Sequence, residues 1–226
     1  MPIGLTVRQT NLAAVTEGSS VYGTASRMGH MVTMDFYTWA ALAGAGFQVR
    51  AGTITTPLVG RVAIADATAE YCVDCVSGYT IIPVNSNISI RLGATLTHEY
   101  AIKSVATVSS AGAAFVPLPL RNASPNGGAA IAAITTARVA AAGGVTVTAE
   151  LATTTLRHWS WSNPTGNTTA GTNLGIFGQP PLDWSPQMPP VLAGARCLYA
   201  QIAAATTGPS YYASLDYLEF LTSNLI

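Results

Sequence analysis

The chain has 226 residues, of which only 9% are charged and 49% are hydrophobic, and its ten acidic and ten basic side chains leave no formal net charge. Among the hydrophobic residues, Ala and Val outnumber the long aliphatic side chains, and Thr and Gly are also abundant. This composition excludes a disordered chain. A free monomer with so few charges is poorly protected against association. We therefore expect a homo-oligomer in which other subunits cover much of the surface.

The scattered charges and the interrupted apolar stretches exclude direct nucleic-acid binding and a membrane-spanning helix. The nine arginines and Lys103 are scattered singly, whereas binding to a phosphate backbone needs a clustered basic face, so no direct contact with nucleic acid is expected. The uncharged stretches at residues 104–120 and 122–137 are interrupted by Gly, Pro, Ser or Asn and cannot supply the roughly 20 apolar residues of a membrane-spanning helix. The first residues lack a secretory signal, so we expect the chain to begin there and to be made in a cytoplasm.

The first half of the chain predicts an all-β, antiparallel sandwich. Short runs of Val, Ile, Thr and Ala are interrupted by Gly, Pro, Asn or Ser about every eight to twelve residues, which is typical of that architecture. Residues 1–29 are predicted to form an N-terminal arm, and residues 30–226 a single β-sandwich domain. A short helix is predicted at residues 38–44, ended by Gly44. The predicted strands are residues 30–37, 47–51, 58–65, 69–76, 80–83, 87–92, 100–108 and 114–117.

The second half is predicted to contain one long strand, one long loop and two closing strands. Residues 129–142 mix Ala, which favours helix, with Ile and Thr, which favour strand, so both assignments stay open. Residues 145–161 alternate as one long strand. Residues 162–190 are rich in Pro, Gly and Asn but also contain aromatic side chains, and we expect an ordered loop packed on the sandwich or on a neighbour. The closing strands are predicted at residues 195–204 and 211–222.

The cysteines do not predict a metal site or a cofactor. Cys72 and Cys75 have the spacing of half a zinc ribbon, but the second half is missing and Cys197 has no histidine close to it in sequence. In a strand, residues three apart point to opposite faces, so the first two thiols cannot share a ligand. We expect these two thiols to be reduced, one of them packed inward, and no bound cofactor or metal.

No arrangement of residues predicts an enzyme. The three histidines, His30, His98 and His158, are not part of a zinc-protease motif, and no serine lies in a Gly-x-Ser-x-Gly turn. Asp216 and Glu219 are three apart in a predicted strand and face opposite ways, so they cannot cooperate as acid and base. We therefore expect no catalytic residues.

Aromatic side chains give two alternatives for function. Trp159 and Trp161 share one face of the long strand, and Tyr211 and Tyr217 share one face of the last strand. Exposed, such rings could stack on sugars in a carbohydrate- or receptor-binding module; buried, they would be core or interface anchors. We favour the second alternative. The predicted interface residues are Trp184, Phe177, Ile176, Leu5, Val7, Trp159 and Trp161.

Three segments together resemble a known class of proteins. They are residues 78–91, where a predicted strand ends in a proline, then Phe115-Val-Pro-Leu-Pro-Leu-Arg121, and the Tyr-rich closing strand at residues 211–221. Their order is similar to that in small jelly-roll virion proteins of bacteriophages and environmental viruses. The resemblance implies an eight-stranded jelly roll of two Greek keys, and a capsid or capsid-decorating subunit. It also implies a trimer or shell lattice, contact with other virion proteins, and a location in the virion after assembly in the host cytoplasm.

Overall fold

The computed structural model describes residues 36–53, 55–65, 67–92, 97–121, 132–140, 144–148, 153–162, 182–204 and 208–225. The predicted N-terminal arm at residues 1–29 and most of the predicted loop at residues 162–190 lie outside this part of the chain. The described residues form one α-helix, a set of β-strands and a terminal 3-10 helix. Their bounds are α1 Phe36–Ala43, β1 Gly46–Ala51, β2 Leu58–Val59, β3 Thr68–Ala69, β4 Tyr71–Cys75, β5 Tyr79–Leu92, β6 Thr97–Val105, β7 Ala113–Phe115, β8 Leu118–Pro119, β9 Thr136–Val139, β10 Val145–Thr146, β11 Thr153–Ser162, β12 Leu182–Trp184, β13 Leu192–Ala193, β14 Arg196–Ala204, β15 Ser210–Leu221 and the 3-10 helix Thr222–Asn224.

The strands form two main sheets, which confirms the predicted all-β, antiparallel sandwich. The first sheet has the order β12-β5-β15-β1-β8, with β13 also paired to β5 and β2 to β15. The second has the order β11-β6-β14-β4-β9-β7, and β3 and β10 form a small separate pair. Every pairing between these named strands is antiparallel.

The main core lies between the two sheets. Alternate residues of β15 point into it, among them Tyr211, Leu215 and Tyr217, because successive side chains of a strand face opposite ways. Strands β4, β6 and β14 of the second sheet supply the facing side chains. On the outer side of the first sheet, Ala40 of α1 packs with Phe220 and neighbouring apolar residues. The predicted helix at residues 38–44 is therefore confirmed, and Gly44, with a φ of 81°, ends it.

The second sheet is also covered on its outer side. Cys72, Val105, Cys197 and Tyr199 point away from the main core and pack with Val145 and other residues of the covering segments. These segments are residues 61–65, 67–69, 106–112 and 144–148. As a result, all five residues of β4 and all but the first residue of β14 are buried.

Several predicted boundaries are wrong for identifiable reasons. The predicted strands at residues 80–83 and 87–92 are one strand, β5, which continues through Pro83. The pairing with β15 passes from Asn85 directly to Pro83, so Val84 is an extra residue in a bulge. Neither β12 nor β13 pairs with Pro83 on the other side of β5. A proline at such a position breaks no ladder hydrogen bond that the sheet needs.

Three other predicted strands also differ from the structure, and one segment left open is settled. Phe36, at the end of the strand predicted for residues 30–37, begins α1, because its ring packs near Trp39 and Phe220 with centroids 6.1 Å away from each. The single strand predicted for residues 145–161 is two strands with different partners, since β10 pairs with β3 and β11 pairs with β6. The strand predicted at residues 58–65 is only the two-residue β2, and the segment left open at residues 129–142 contains the strand β9.

Glu219 of β15 fixes the segment that precedes β9. Its carboxylate accepts hydrogen bonds from the backbone N–H of Ile134 at 2.9 Å and of Thr135 at 3.0 Å, and from the Thr135 hydroxyl at 2.7 Å. Because Glu219 and Thr135 are buried, a partner lost here is not replaced by water. Asp216 of the same strand lies on the opposite face and accepts a hydrogen bond from Gln48 at 2.7 Å, as the predicted separation of the two acids requires.

We expect the Glu219→Gln substitution to lower the free energy of unfolding by about 1–3 kcal/mol, because the amide nitrogen cannot accept a hydrogen bond and leaves a buried donor unpaired. Urea denaturation followed by circular dichroism measures this change. The matched control is Asp216→Asn on the half-buried outer face, which should cost less than about 0.5 kcal/mol. Equal losses in the two variants would contradict the role given to Glu219.

Candidate functional site

Trp184, the first of the predicted interface residues, lies in the core of its own chain. It ends β12 and pairs with Ser86 of β5. Only 8% of its surface is exposed, and the ring belongs to the main cluster between the sheets. Little of the ring is left to contact a neighbouring subunit.

Trp159 is also held within the chain. On β11 it lies directly opposite Tyr100 of β6, and the two rings stack with centroids 4.7 Å apart and an interplanar angle of 18°. The guanidinium of Arg157 lies over the indole, 4.9 Å from its centroid. Tyr211 and Tyr217 are fully buried. These rings are therefore not an exposed platform for a sugar.

The side chains of the remaining predicted interface residues lie outside the described part of the structure. Trp161 lies on β11, but its side chain is outside the described part of the structure. Leu5, Val7, Ile176 and Phe177 are outside it altogether.

An exposed apolar surface lies where α1 meets the edge strand β8. We call it the α1–β8 patch and define it as Leu42, Val116, Leu118 and Leu120, whose side chains are 48–62% exposed. Leu118 pairs with Gln48 of β1, so it shares the outer face of the first sheet with α1. Clustered apolar side chains that remain exposed are typical of sites of protein association.

The local sequence explains why this surface is apolar and why it is an edge. In Val116-Pro-Leu-Pro-Leu120 the apolar residues recur at every second position, which places them on one face of an extended chain. Pro117 and Pro119 lack a backbone N–H, so this edge is a poor template for adding another strand. The backbone N–H of Leu120 donates to Gly46 at 2.9 Å, and Arg121 donates to the carbonyl of Leu42 at 2.7 Å. The first bond holds the chain just after β8 to β1, and the second links Arg121 to the end of α1.

A hydrogen-bonded triangle of hydroxyls lies between the two sheets. The oxygens of Tyr71, Ser86 and Tyr100 are 3.0–3.3 Å from one another, and all three side chains are buried. Burial raises the pKa of the Tyr71 and Tyr100 phenols above their usual range. The phenols therefore remain protonated and act as hydrogen-bond donors within the core.

Glu70 is a buried carboxyl with one backbone partner and one ionic partner. Its Oε2 accepts from the Ile202 N–H at 2.9 Å, and its Oε1 lies 3.3 Å from Nε of Arg61. Loss of water around the group disfavours the charged form more than these partners favour it. Burial consequently raises the pKa of Glu70 from 4.5 to about 7.

Two of the three histidines lie in the described part of the chain, and their side chains are on opposite faces of the second sheet. His98 of β6 is buried, whereas His158 of β11 is exposed. His98 is on the same side of the sheet as Tyr100, and His158 alternates with Trp159, so the two imidazoles point to opposite faces. They cannot act together on one substrate.

The cysteines occupy two different environments. Cys75 belongs to the main core, and burial raises the pKa of its thiol to about 11. Cys72 is on the opposite face of β4, which confirms the prediction that these two thiols cannot share a ligand. There it meets Asp74 and Cys197, and the sulfur and carboxylate atoms of the three residues all lie within 4.8 Å of one another. Burial and the hydrogen bond to Cys72 raise the pKa of the Cys197 thiol well above its usual value.

The cysteine spacing does not predict this cluster, because Cys197 reaches it only through the pairing of β14 with β4. The register places Cys197 directly opposite Asp74. Cysteine spacing carries no information on such a pairing. The one signal in the sequence is that both of these apolar strands contain cysteine.

Comparisons with known proteins do not assign the chain to a family. No protein-family model, no curated protein and no solved structure matches it. No helix in the described part of the chain combines the length and the apolar character that crossing a membrane requires.

We expect Trp184→Ala to lower the free energy of unfolding by about 3–5 kcal/mol, since it removes a large ring from the main core. Urea denaturation at two protein concentrations measures the loss and tests whether it depends on association. A variant that keeps its stability but associates more weakly would contradict the core position and favour the predicted role at an interface.

The pKa of Glu70 predicts how stability changes with pH. Its value in the folded chain lies above that of the unfolded chain, so the folded chain holds the proton more tightly, and the stabilisation is lost as pH rises from about 4.5 to 7. At about 1.4 kcal/mol per pKa unit this loss is roughly 3 kcal/mol. Because glutamine cannot ionise, we expect the Glu70→Gln variant to lack this pH-dependent loss of stability. Urea denaturation between pH 4.5 and 8 in the presence of a chelator measures the difference, and parallel pH curves for the two proteins would contradict it.

Proposed function

We propose that this chain is a virion structural protein, a capsid subunit that self-assembles into a viral shell. The observation that carries the proposal is the α1–β8 patch, an apolar surface left exposed on a chain with 9% charged residues and no formal net charge. In a shell a second copy of the chain would cover this patch. Other virion proteins would be further partners, and the protein would be located in the virion after assembly in the host cytoplasm.

The order of the strands supports a jelly-roll topology. Near the beginning of the described chain β1 pairs with β15, and β4 pairs with β14 in the other sheet. Pairing between strands that are distant in sequence is a feature of Greek-key connections, from which jelly rolls are built. This topology suits a shell protein, because its loops and edges are free to contact neighbouring subunits.

The kind of contact follows from the prolines of the β8 edge. Pro117 and Pro119 cannot donate backbone hydrogen bonds, so a neighbour would pack against the side chains of the patch without extending the sheet. Whether copies form a closed trimer or a lattice depends on the rotation between them. The carbohydrate- or receptor-binding alternative has less support, because Tyr211 and Tyr217 are buried and Trp159 is engaged by Tyr100 and Arg157.

We expect Leu118→Glu to raise the dissociation constant of the assembly at least about tenfold, because it places a charge in an apolar interface. Size-exclusion chromatography with light scattering at micromolar concentration measures this shift. The matched control is Met188→Glu. Met188 is 90% exposed and lies between β12 and β13 at the opposite edge of the first sheet.

The control should assemble like the unmodified protein, and circular dichroism should show both variants folded. A monodisperse monomer for the unmodified chain would contradict the proposed function. Assembly that is unchanged by Leu118→Glu would contradict the choice of interface. A tryptophan fluorescence change with a glycan, on a monomer, would favour the binding-module alternative.

A further inference from the structure

The cluster on the outer face of the second sheet contains the side-chain chemistry of a metal site. Cys72 and Asp74 are two residues apart on β4 and so share a face, and Cys197 lies opposite Asp74 on β14. All three side chains are buried. Two sulfurs and a carboxylate oxygen within 4.8 Å of one another suit a thiophilic divalent cation, Zn²⁺ above all.

The distances fit a cation better than a disulfide. Ligands of a tetrahedral Zn²⁺ at about 2.1–2.3 Å lie roughly 3.5–3.8 Å apart, so atoms already within 4.8 Å need only small rotations of their side chains. Cys72 pairs with Tyr199, which makes Cys72 and Cys197 diagonal neighbours. Diagonal neighbours of a sheet are about 7–8 Å apart, beyond the usual Cα separation of about 4.4–6.8 Å in a disulfide.

The surroundings hold the carboxylate in place. Asp74 accepts from the Ser109 N–H at 2.8 Å and from the Ser109 hydroxyl at 2.6 Å, and Nε of Arg138 lies 3.3 Å from its Oδ2. Outer partners of this kind orient the carboxylate ligands of metal sites. The Ser109 oxygen is also 3.1 Å from the sulfur of Cys72, so it borders two of the three ligands. The Ser109 hydroxyl oxygen is therefore placed to act as a fourth ligand.

The charges also balance. Two thiolates and the Asp74 carboxylate carry three negative charges, and the cation together with Arg138 carries three positive ones. Binding releases the protons of the two thiols to solvent and changes no oxidation state. A buried site can hold this neutral combination without an uncompensated charge.

We propose that Cys72, Asp74 and Cys197 bind one Zn²⁺ per chain, with the cation linking β4 to β14. Through Ser109 and Arg138 the same site reaches the covering segment at residues 106–112 and the strand β9. The role is structural, because all three ligands are buried. This inference departs from the absence of a metal that the cysteine spacing predicts, and it does not depend on a role in a virion.

Titration with Co²⁺, a spectroscopic substitute for Zn²⁺, tests the site directly. The intact protein is treated with a chelator under reducing conditions and then titrated with Co²⁺. We expect thiolate-to-cobalt charge-transfer bands that saturate at one equivalent and disappear when Zn²⁺ is added. Zinc reconstitution should also raise the melting temperature, and a chelator should reverse the rise.

Variants separate the site from general effects of cysteine. Cys72→Ser and Cys197→Ser should each abolish the charge-transfer bands, and Asp74→Asn should weaken binding at least tenfold. The matched control is Cys75→Ser, whose side chain is buried on the opposite face of β4 and should leave the bands intact. The melting temperatures of the unmodified protein with and without Zn²⁺ provide a readout that does not depend on whether a variant folds.

Three results would overturn the proposal. The first is the absence of charge-transfer bands and of a zinc-dependent melting temperature in the reduced, unmodified protein. The second is a loss of the bands in folded Cys75→Ser that equals the loss in Cys72→Ser. The third is a disulfide between Cys72 and Cys197, seen by mass spectrometry as the loss of two hydrogens in protein that binds no metal.

Discussion

The burial of both faces of the second sheet is the constraint on which the rest of the structure depends. Every residue of β4 and nearly every residue of β14 is inaccessible to solvent. A polar side chain in such a strand must find a partner within the protein, because an unpaired buried polar group costs free energy. Asp74 therefore bonds to Ser109 and Arg138, and the Gln201 amide donates to the carbonyls of Ala65 and Thr68 at 2.7 and 2.8 Å.

These polar anchors attach the covering segments to the sheet. Ser109 holds residues 106–112 through Asp74, and Gln201 holds the chain before β3. Between them, Val145 and Val147 pack on Cys72 and Tyr199. The same double burial explains the composition, since strands with two buried faces are built from small and β-branched residues and leave few positions for charges.

The sequence was sufficient for the fold class and for several elements, and insufficient for what depends on pairing. The rhythm of β-branched runs predicts the sandwich, Gly44 predicts the end of α1, and the closing strands are placed within one residue of β14 and β15. Alternation also places Cys72 and Cys75 on opposite faces. Local patterns do not contain the register between distant strands, however, so the meeting of Cys72 with Cys197 could not be predicted.

The same limit applies to the aromatic and proline residues. Pro83 predicts a strand end, because a proline cannot donate to a sheet ladder. The bulge at Val84 accommodates it, but that bulge arises from the pairing of β5 with β15, which a local pattern does not contain. The Pro-rich surroundings of Trp184 are typical of loops and predict an interface anchor, whereas in the structure β12 joins the sheet and buries the ring. Val116, Leu118 and Leu120 alternate visibly in the sequence, but only the position of β8 at an edge makes them a surface.

Hydrogen–deuterium exchange of the folded protein, followed by mass spectrometry, tests the central claim most directly. If the second sheet is covered on both faces, peptides from β4 and β14 exchange at the slowest rates in the chain, since their amides open only with global unfolding. Peptides from β11, the edge strand of the same sheet, exchange faster, because one side of that strand has no partner strand among the described residues. Exchange of β14 as fast as that of β11 would contradict this account.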